Sequence, residues 1–189
     1  MNIRGIILAA GLSSRMGRNK LQLNFKGRTI INIVIDNAKA SNLSEVVLVY
    51  GKYDVNTDVK KMYNPNYEMG MSTSIIEGLK DFHGDGVMLL LGDMPLVNKG
   101  IINKLIEGFN NTEKGLVVPM HEGKRGNPVI VGKKYFQELL KNRGDRGARD
   151  IINNNLDDVE WVQIQSKGIF IDVDEGDAYK LLKEQYGTN

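Results

Sequence analysis

Residues 3–20 read IRGIILAAGLSSRMGRNK, in which the apolar run Ile3–Leu8 leads directly into a loop of small residues. The apolar run predicts a buried β-strand. The loop carries three cations, Arg15, Arg18 and Lys20, which can neutralise an oxyanion, and its small residues let backbone N–H groups approach a ligand closely. A triphosphate is the ligand that most needs both features. This stretch therefore indicates a nucleotide site at the end of a strand.

The composition is ordinary for a soluble globular protein and excludes several function classes. With 189 residues, 41% hydrophobic and 25% charged, we expect a single domain, residues 1–189. A net charge of +2 is too small to indicate nucleic-acid binding. The absence of cysteine excludes disulfides and thiolate catalysis, and the two histidines are too few for a histidine-built zinc site. No stretch approaches the roughly 18 apolar residues that cross a membrane, and no signal peptide is evident, so we expect a cytoplasmic protein.

Strand-like and helix-like patterns alternate along the rest of the chain. Further strands are predicted at Glu45–Tyr50, Gly86–Leu91, Leu116–Pro119, Pro128–Val131, Val159–Ile164 and Ile169–Val173. Helices are predicted at Thr29–Ala40, Val55–Met62, Ser72–Asp81, Lys99–Phe109, Lys133–Lys141, Ala148–Asn154 and Gly176–Tyr186. This alternation predicts an α/β fold, a three-layer α/β/α sandwich on a Rossmann-like, mostly parallel sheet. The hairpin-like pattern over residues 116–131 predicts a mixed portion of the sheet.

Carboxylates follow two of the predicted strands. In an open α/β sheet ligands bind beyond the carboxyl ends of the strands, and Gly92–Pro95 follows the most apolar strand. Asp93 can hold a divalent cation beside phosphate oxygens, because Mg²⁺ prefers oxygen ligands; alternatively it accepts local hydrogen bonds in a turn. Asp172 and Asp174 alternate, so both face one side of a strand and can complete a metal site with Asp93. Asp174 can equally cap the last helix.

The glycine loops narrow the choice of nucleotide protein. The spacing of Gly11, Gly17 and Lys20 fits neither the Walker A loop nor the dinucleotide fingerprint, and a plain strand-to-helix turn remains the alternative. A second loop, Gly144–Arg149, opens a predicted helix and offers an anion site, or else a solvated arginine loop.

Three polar side chains outside these loops are assigned different roles. Ser74 and Glu77 are spaced as a capping box for the helix beginning near residue 72. His121 is expected to be exposed and is assigned no catalytic role.

Six segments in order resemble the MobA-like nucleotidyltransferases, most closely the molybdenum cofactor cytidylyltransferase branch. The match covers nearly the whole chain, and its first motif is highly specific. The segments and the patterns they resemble are Leu8–Lys20 (L-A-A-G-x-S-x-R-M-G-x-x-K), Gly70–Ser74 (G-[MQ]-S-x-S), Gly92–Pro95 (G-D-M-P), Gly126–Val129 (G-[HN]-P-V), Gly144–Arg149 (G-D-x-G-[AV]-R) and Asp172–Asp174 (D-[IV]-D).

The resemblance implies an Mg²⁺-dependent transfer of a nucleoside monophosphate from an NTP to the phosphate of molybdopterin cofactor, with release of pyrophosphate. It implies a molybdoenzyme or its chaperone as a partner, and no nucleic acid or membrane. The nucleotide-binding residues it implies are Leu8, Ala9, Ala10, Gly11, Ser13, Arg15, Lys20, Ser72, Ser74 and Gly92. The catalytic residues are Lys20, Arg15 and Asp93, the metal ligands Asp93, Asp172 and Asp174, and the acceptor-binding residues Asn127, Arg146 and Arg149.

Departures from the family patterns bear on the choice of substrate. Relatives that use GTP carry L-A-G-G and R-M-G-G, whereas Ala10 and Arg18 stand here, which favours CTP. Asn127 replaces the commoner histidine, and Glu175-Gly176 replaces Thr-Pro before the last helix. The alternatives are a GTP-using guanylyltransferase, a nucleotidyltransferase for a sugar or polyol phosphate, and an accessory protein that binds nucleotide without turnover to help insert a cofactor.

Overall fold

The computed structural model describes residues 1–11 and 19–173, which form a large sheet with helices on both faces and a small two-stranded ribbon. The helix predicted over 176–186 lies outside the described residues.

The bounds of the elements follow in chain order. The strands are β1 (Ile3–Ala9), β2 (Asn24–Phe25), β3 (Arg28–Thr29), β4 (Glu45–Tyr50), β5 (Lys60–Tyr63), β6 (Gly86–Leu91), β7 (Leu116–His121), β8 (Lys124–Arg125), β9 (Val129–Gly132) and β10 (Val159–Gln163). The α-helices are α1 (Ile30–Lys39), α2 (Met71–Leu79), α3 (Lys99–Asn110), α4 (Phe136–Lys141) and α5 (Arg149–Asn154). Short 3₁₀ helices span Lys20–Gln22, Tyr67–Met69, Lys133–Tyr135, Leu156–Asp158 and Lys167–Phe170.

The sheet order is β10-β7-β9-β6-β1-β4-β5, with β8 paired to β7. Neighbouring strands are parallel except for the pairs made by β8 and β9. Because β9 runs antiparallel between β6 and β7, those two strands point the same way as β1. The strands β1, β4, β6 and β7 therefore end at one edge, which we call the carboxyl edge. The predicted mixed portion is confirmed.

Alternating side chains of β6 explain the three layers. Met88 and Leu90 pack into the cluster formed with α1 and α3, whereas Val87 and Leu89 pack into the cluster formed with α2, α4 and α5. Successive strand residues point to opposite faces, so a strand covered on both sides is apolar throughout. The three-layer prediction is confirmed.

The helix predicted over Val55–Met62 is wrong. Residues 51–59 have no helix or strand, and residues 60–63 form β5, which extends the sheet beside β4. The Asp54 side chain accepts the amide of Val55 at 2.7 Å, a local hydrogen bond that competes with helix formation. Residues 60–63 then form parallel hydrogen-bonded pairs with the free edge of β4. None of the helices described here is long and apolar enough to span a membrane.

Candidate active site

The carboxyl ends of β1 and β6 lie side by side. The Gly92 amide donates to the Leu8 carbonyl at 3.1 Å, so the segments that follow the two strands leave the sheet together. Ala9 and Ala10 are each 5% exposed, and Gly11 is exposed. Of these three residues, Gly11 is the one whose backbone is open to close approach. Two of the predicted nucleotide-binding segments are thus neighbours.

A lysine and an aspartate meet at this edge. Lys20 opens a 3₁₀ helix that is capped by Asn19, whose side chain accepts the Leu21 amide at 3.1 Å. The Lys20 Nζ atom lies 2.5 Å from Asp93 Oδ2, and the two side chains are 16% and 17% exposed. A charge pair that is largely shielded from solvent interacts more strongly than one in open water. The structure therefore brings together a predicted catalytic cation and a predicted metal ligand.

Asp172 lies near the same edge of the sheet, but not in the strand that the sequence predicted. The strand expected over Ile169–Val173 is wrong: a 3₁₀ helix ends at Phe170, and residues 171–173 belong to no strand. The Val173 amide donates to the Asp93 carbonyl at 3.0 Å. This hydrogen bond brings the backbone at Val173 against that of Asp93, so half-buried Asp172 lies in a segment next to Asp93 without any ladder pairing.

The two carboxylates fit a divalent-cation site. Mg²⁺ is commonly held by one or two carboxylates together with substrate phosphates and water, rather than by a complete protein cage. Within residues 1–11 and 19–173, no group of three or more acidic or histidine side chains is arranged to hold a metal. Asp93 and Asp172 match the smaller donor set. Three other predicted site residues, Ser13, Arg15 and Asp174, lie outside the described residues.

The start of α2 corrects the predicted capping box. The helix begins at Met71, with Gly70 as its N-cap and no side-chain cap. Ser74 lies inside the helix, 4% exposed, and accepts a hydrogen bond from Asn64 Nδ2 at 3.0 Å. Glu77 pairs instead with Lys80. The predicted capping box is therefore wrong.

A distant loop satisfies the first amides of α2. Asp145 Oδ1 accepts the Met71 amide at 2.9 Å, and the Gly144 carbonyl accepts the Ser72 amide at 3.0 Å. Ser72 is 1% exposed, and its Oγ atom has no hydrogen-bond partner among the described residues. Two motifs separated by some seventy residues thus form one assembly, with a buried hydroxyl beside it.

Gly70→Ala is expected to lower the free energy of unfolding by about 3 kcal/mol, because φ at Gly70 is 103° and an added Cβ would lie 2.6 Å from the Gly144 carbonyl carbon. Gly27→Ala is the matched control, since Gly27 also has positive φ but no atom within 4 Å of an added Cβ. Gly27→Ala should lower the free energy of unfolding by only about 1 kcal/mol. Urea unfolding measures both, and equal losses would contradict the contact with Gly144.

The predicted acceptor-binding arginines differ in their surroundings. Arg146 is 72% exposed on its side chain and pairs with Asp150 at 2.8 Å. Arg149 begins α5 and is exposed. Arg125, on the neighbouring hairpin, donates to the Asn153 side chain at 2.6 Å. Asn153 lies four residues after Arg149 on one helix face, so Arg125 and Arg149 flank the same surface. The sequence did not indicate that Arg125 and Arg149 share a surface.

Asn127 lies on the inner side of that hairpin, before a cis peptide bond to Pro128. Its amide donates to the Ile169 carbonyl at 2.9 Å, and the residue is half-buried. The backbone of Asn127 is therefore next to the segment that carries Asp172.

The expectation that His121 is exposed is wrong. It ends β7 at the carboxyl edge, is 9% exposed, and its Nδ1 atom lies 2.8 Å from the Ile164 carbonyl oxygen. Burial follows from the segment after β10, which folds over the ring. His83 is exposed in the connection before β6.

A groove of about 530 Å³ lies elsewhere, between α2 and α4. Phe82, Phe136 and Lys133 are among the residues that line it, and they lie near the edge where β6 begins. The groove is thus at the end of the sheet opposite the carboxyl edge, and no predicted site residue lines it.

Known proteins are similar to this chain in sequence and in fold. A molybdenum cofactor cytidylyltransferase from Escherichia coli (strain K12) is 30% identical over 189 residues, covering 96% of this chain and 95% of that protein. The crystal structure of Rv0371c from Mycobacterium tuberculosis H37Rv has a TM-score of 0.86 at 24% identity, covering 97% of this chain and 98% of that one. A complex of Rv0371C with manganese has a TM-score of 0.82 at 21% identity, with coverage of 97% and 99%.

The relative with 30% identity, together with the family model, defines a nucleotidyltransferase. The chain belongs to the family with the MobA-like NTP transferase domain, whose model matches residues 5–159.

Proposed function

We propose that the protein transfers CMP from CTP to the terminal phosphate of molybdopterin cofactor and releases pyrophosphate. The relative with 30% identity is a molybdenum cofactor cytidylyltransferase, which supports this acceptor and this base. Ala10 supports CTP further, since GTP-using relatives carry glycine at that position. The observation that carries the proposal is the Lys20–Asp93 pair at the carboxyl edge.

The nucleotide would lie across the ends of β1 and β6. Ala9, Ala10 and Gly11 stay predicted backbone contacts to base and ribose, and Gly11 is the exposed residue among the three. Ser72, whose buried hydroxyl has no hydrogen-bond partner among the described residues, would line the same side. Ser74 is the weaker candidate because it already accepts a hydrogen bond from Asn64.

Lys20 would bind the triphosphate and offset the charge that develops as the bond to the leaving pyrophosphate breaks. Phosphoryl and nucleotidyl transfer depend on positioning and charge neutralisation more than on an acid or base. Asp93 holds the ammonium in place before substrate arrives. Asp93 and Asp172 would hold Mg²⁺, which acts as a Lewis acid toward phosphate oxygens. Arg15 and Ser13 remain predicted contributors.

The acceptor phosphate would approach from the side of Arg149. Its oxygen attacks the α-phosphorus of CTP, the bond from α-phosphorus to the bridging oxygen breaks, and pyrophosphate leaves with the electron pair. Arg149, flanked by Arg125, suits a phosphate because a guanidinium donates two parallel hydrogen bonds to an oxyanion. Arg146 and Asn127 stay predicted acceptor contacts.

The test measures pyrophosphate release with each of the four NTPs and Mg²⁺, with and without molybdopterin cofactor. We expect release only with CTP and only when the acceptor is present. If GTP is the only NTP that gives release, the donor is GTP and not CTP. If release requires a sugar or polyol phosphate, that phosphate is the acceptor and not molybdopterin cofactor. Nucleotide binding without turnover under every condition would contradict an enzymatic role at this site.

A further inference from the structure

We propose that His121 is a positioning residue that fixes residues 164–173, which we call the strap, and thereby places Asp172 beside Asp93. This inference rests on the proposed function, in which those two carboxylates hold the divalent cation. It assigns a role to a buried side chain that neither binds the nucleotide nor holds the metal.

The hydrogen bond of His121 defines the start of the strap. A carbonyl oxygen can only accept, so the Nδ1 atom carries the proton and donates to Ile164 at 2.8 Å. The Ile164 amide in turn donates to the Met120 carbonyl at 2.8 Å. Both polar groups of Ile164 are therefore held by the end of β7, one residue beyond the last ladder pair of β10.

The other ring nitrogen does not share this task. Nε2 is buried and has no hydrogen-bond partner among the described residues, and the nearest carboxylate oxygen recorded for it, on Glu122, lies at 3.8 Å. That distance is too long for a hydrogen bond. The ring of Phe170, in the strap, packs against the imidazole with centroids 6.0 Å apart. Among the described residues, the ring is oriented by one hydrogen bond and one aromatic contact, both to the strap.

The strap is also held by buried side chains, since Ile164 and Ile169 pack in the core with α1 and α3 and Val173 is fully buried, and by backbone hydrogen bonds. The Asn127 amide donates to Ile169 at 2.9 Å, and the Val173 amide donates to Asp93 at 3.0 Å. Gly126 approaches so closely that an added Cβ would lie 2.6 Å from the Ile169 carbonyl oxygen. Because the strap lacks ladder pairing, its buried side chains, these hydrogen bonds and His121 together set its path. Groups hydrogen-bonded directly to metal ligands typically contribute 10- to 100-fold in metal affinity, and His121, which acts through the strap, is expected at the lower end of that range.

Two substitutions separate the hydrogen bond from the packing. His121→Phe keeps a ring against Phe170 and removes the donor, whereas His121→Asn keeps a donor near the Nδ1 position and removes the ring. His83→Phe is the control, because this exposed histidine lies before β6, away from the strap. Mn²⁺ alone, titrated into the protein and followed by electron paramagnetic resonance, gives the metal Kd without turnover.

We expect His121→Phe to raise the Mn²⁺ Kd about 10-fold, with His121→Asn and His83→Phe within about threefold of wild type. Gly126→Ala should raise the Kd to a similar extent, since it displaces the strap at Ile169. If His121→Phe does not fold, this variant still tests whether the position of the strap controls metal binding. Unchanged Mn²⁺ binding in folded His121→Phe or Gly126→Ala would overturn the proposal. So would equal losses in the Phe and Asn variants.

The outcome is separable from that of the proposed function. If wild-type protein releases no pyrophosphate with any NTP while His121→Phe weakens Mn²⁺ binding, the function fails and the role of His121 stands. If wild type turns over with CTP and the His121 variants bind Mn²⁺ as wild type does, the function stands and the role of His121 fails.

Discussion

Lys20→Ala is expected to lower kcat/KM for pyrophosphate release about 10³-fold, because a preorganised cation is lost from a partly buried phosphate site. The ammonium lies 2.5 Å from Asp93 Oδ2 and is only 16% exposed, so it is in place before substrate binds. Water that enters in its place must reorient as charge develops, whereas the ammonium does not. Most of the loss should therefore appear in kcat rather than in KM.

Lys133→Ala is the matched control for this prediction. Lys133 is exposed and lines the groove at the opposite end of the sheet, so its removal changes the net charge equally without touching the site. Its kcat/KM should stay within about twofold of wild type, as for exposed charges remote from a site. Circular dichroism and the unfolding midpoint verify that both variants fold. Wild-type rates in folded Lys20→Ala would remove Lys20 from the mechanism.

The strands that could be predicted from the sequence are those that are covered on both faces of the sheet. Glu45–Tyr50 and Gly86–Leu91 are confirmed residue for residue as β4 and β6, because a central strand covered on both faces must be apolar throughout. Val55–Met62 and Ile169–Val173 were wrong for the opposite reason. Their conformation depends on a free strand edge and on contacts with distant loops, which local patterns do not encode.

The same distinction holds for the candidate site. Strands β1 and β6 both end at the carboxyl edge, so the topology places Asp93 near the end of β1, where Lys20 meets it. The approach of Asp172 through the Val173 amide could not be predicted, because it needs the path of a segment outside the sheet. His121 was missed because a histidine beside polar residues resembles a turn residue. Its place at the end of a strand was the available signal.

Asp93→Asn is expected to lower kcat by about three orders of magnitude, because charge stabilisation by a bound divalent cation is worth several kcal/mol. The amide is nearly isosteric with the carboxylate, so the hydrogen bond from Val173 to the backbone carbonyl should persist and keep Asp172 in place. The loss should be accompanied by a rise in the Mg²⁺ concentration that gives half-maximal rate. Asp81→Asn is the control, since Asp81 is exposed and has a φ of 57° that asparagine tolerates.

The double variant Lys20→Ala/Asp93→Asn tests whether the two side chains act as one unit. If each contributed independently, the losses would multiply to about 10⁶-fold, whereas residues that act together give far less than the product. We expect the double variant to fall within about tenfold of the worse single variant, because each substitution by itself already abolishes the Lys20–Asp93 charge pair. Single-turnover measurements with CTP and acceptor give these rates directly. Fully multiplicative losses would mean that Lys20 and Asp93 serve separate steps, and the pair would then lose its standing as the centre of the site.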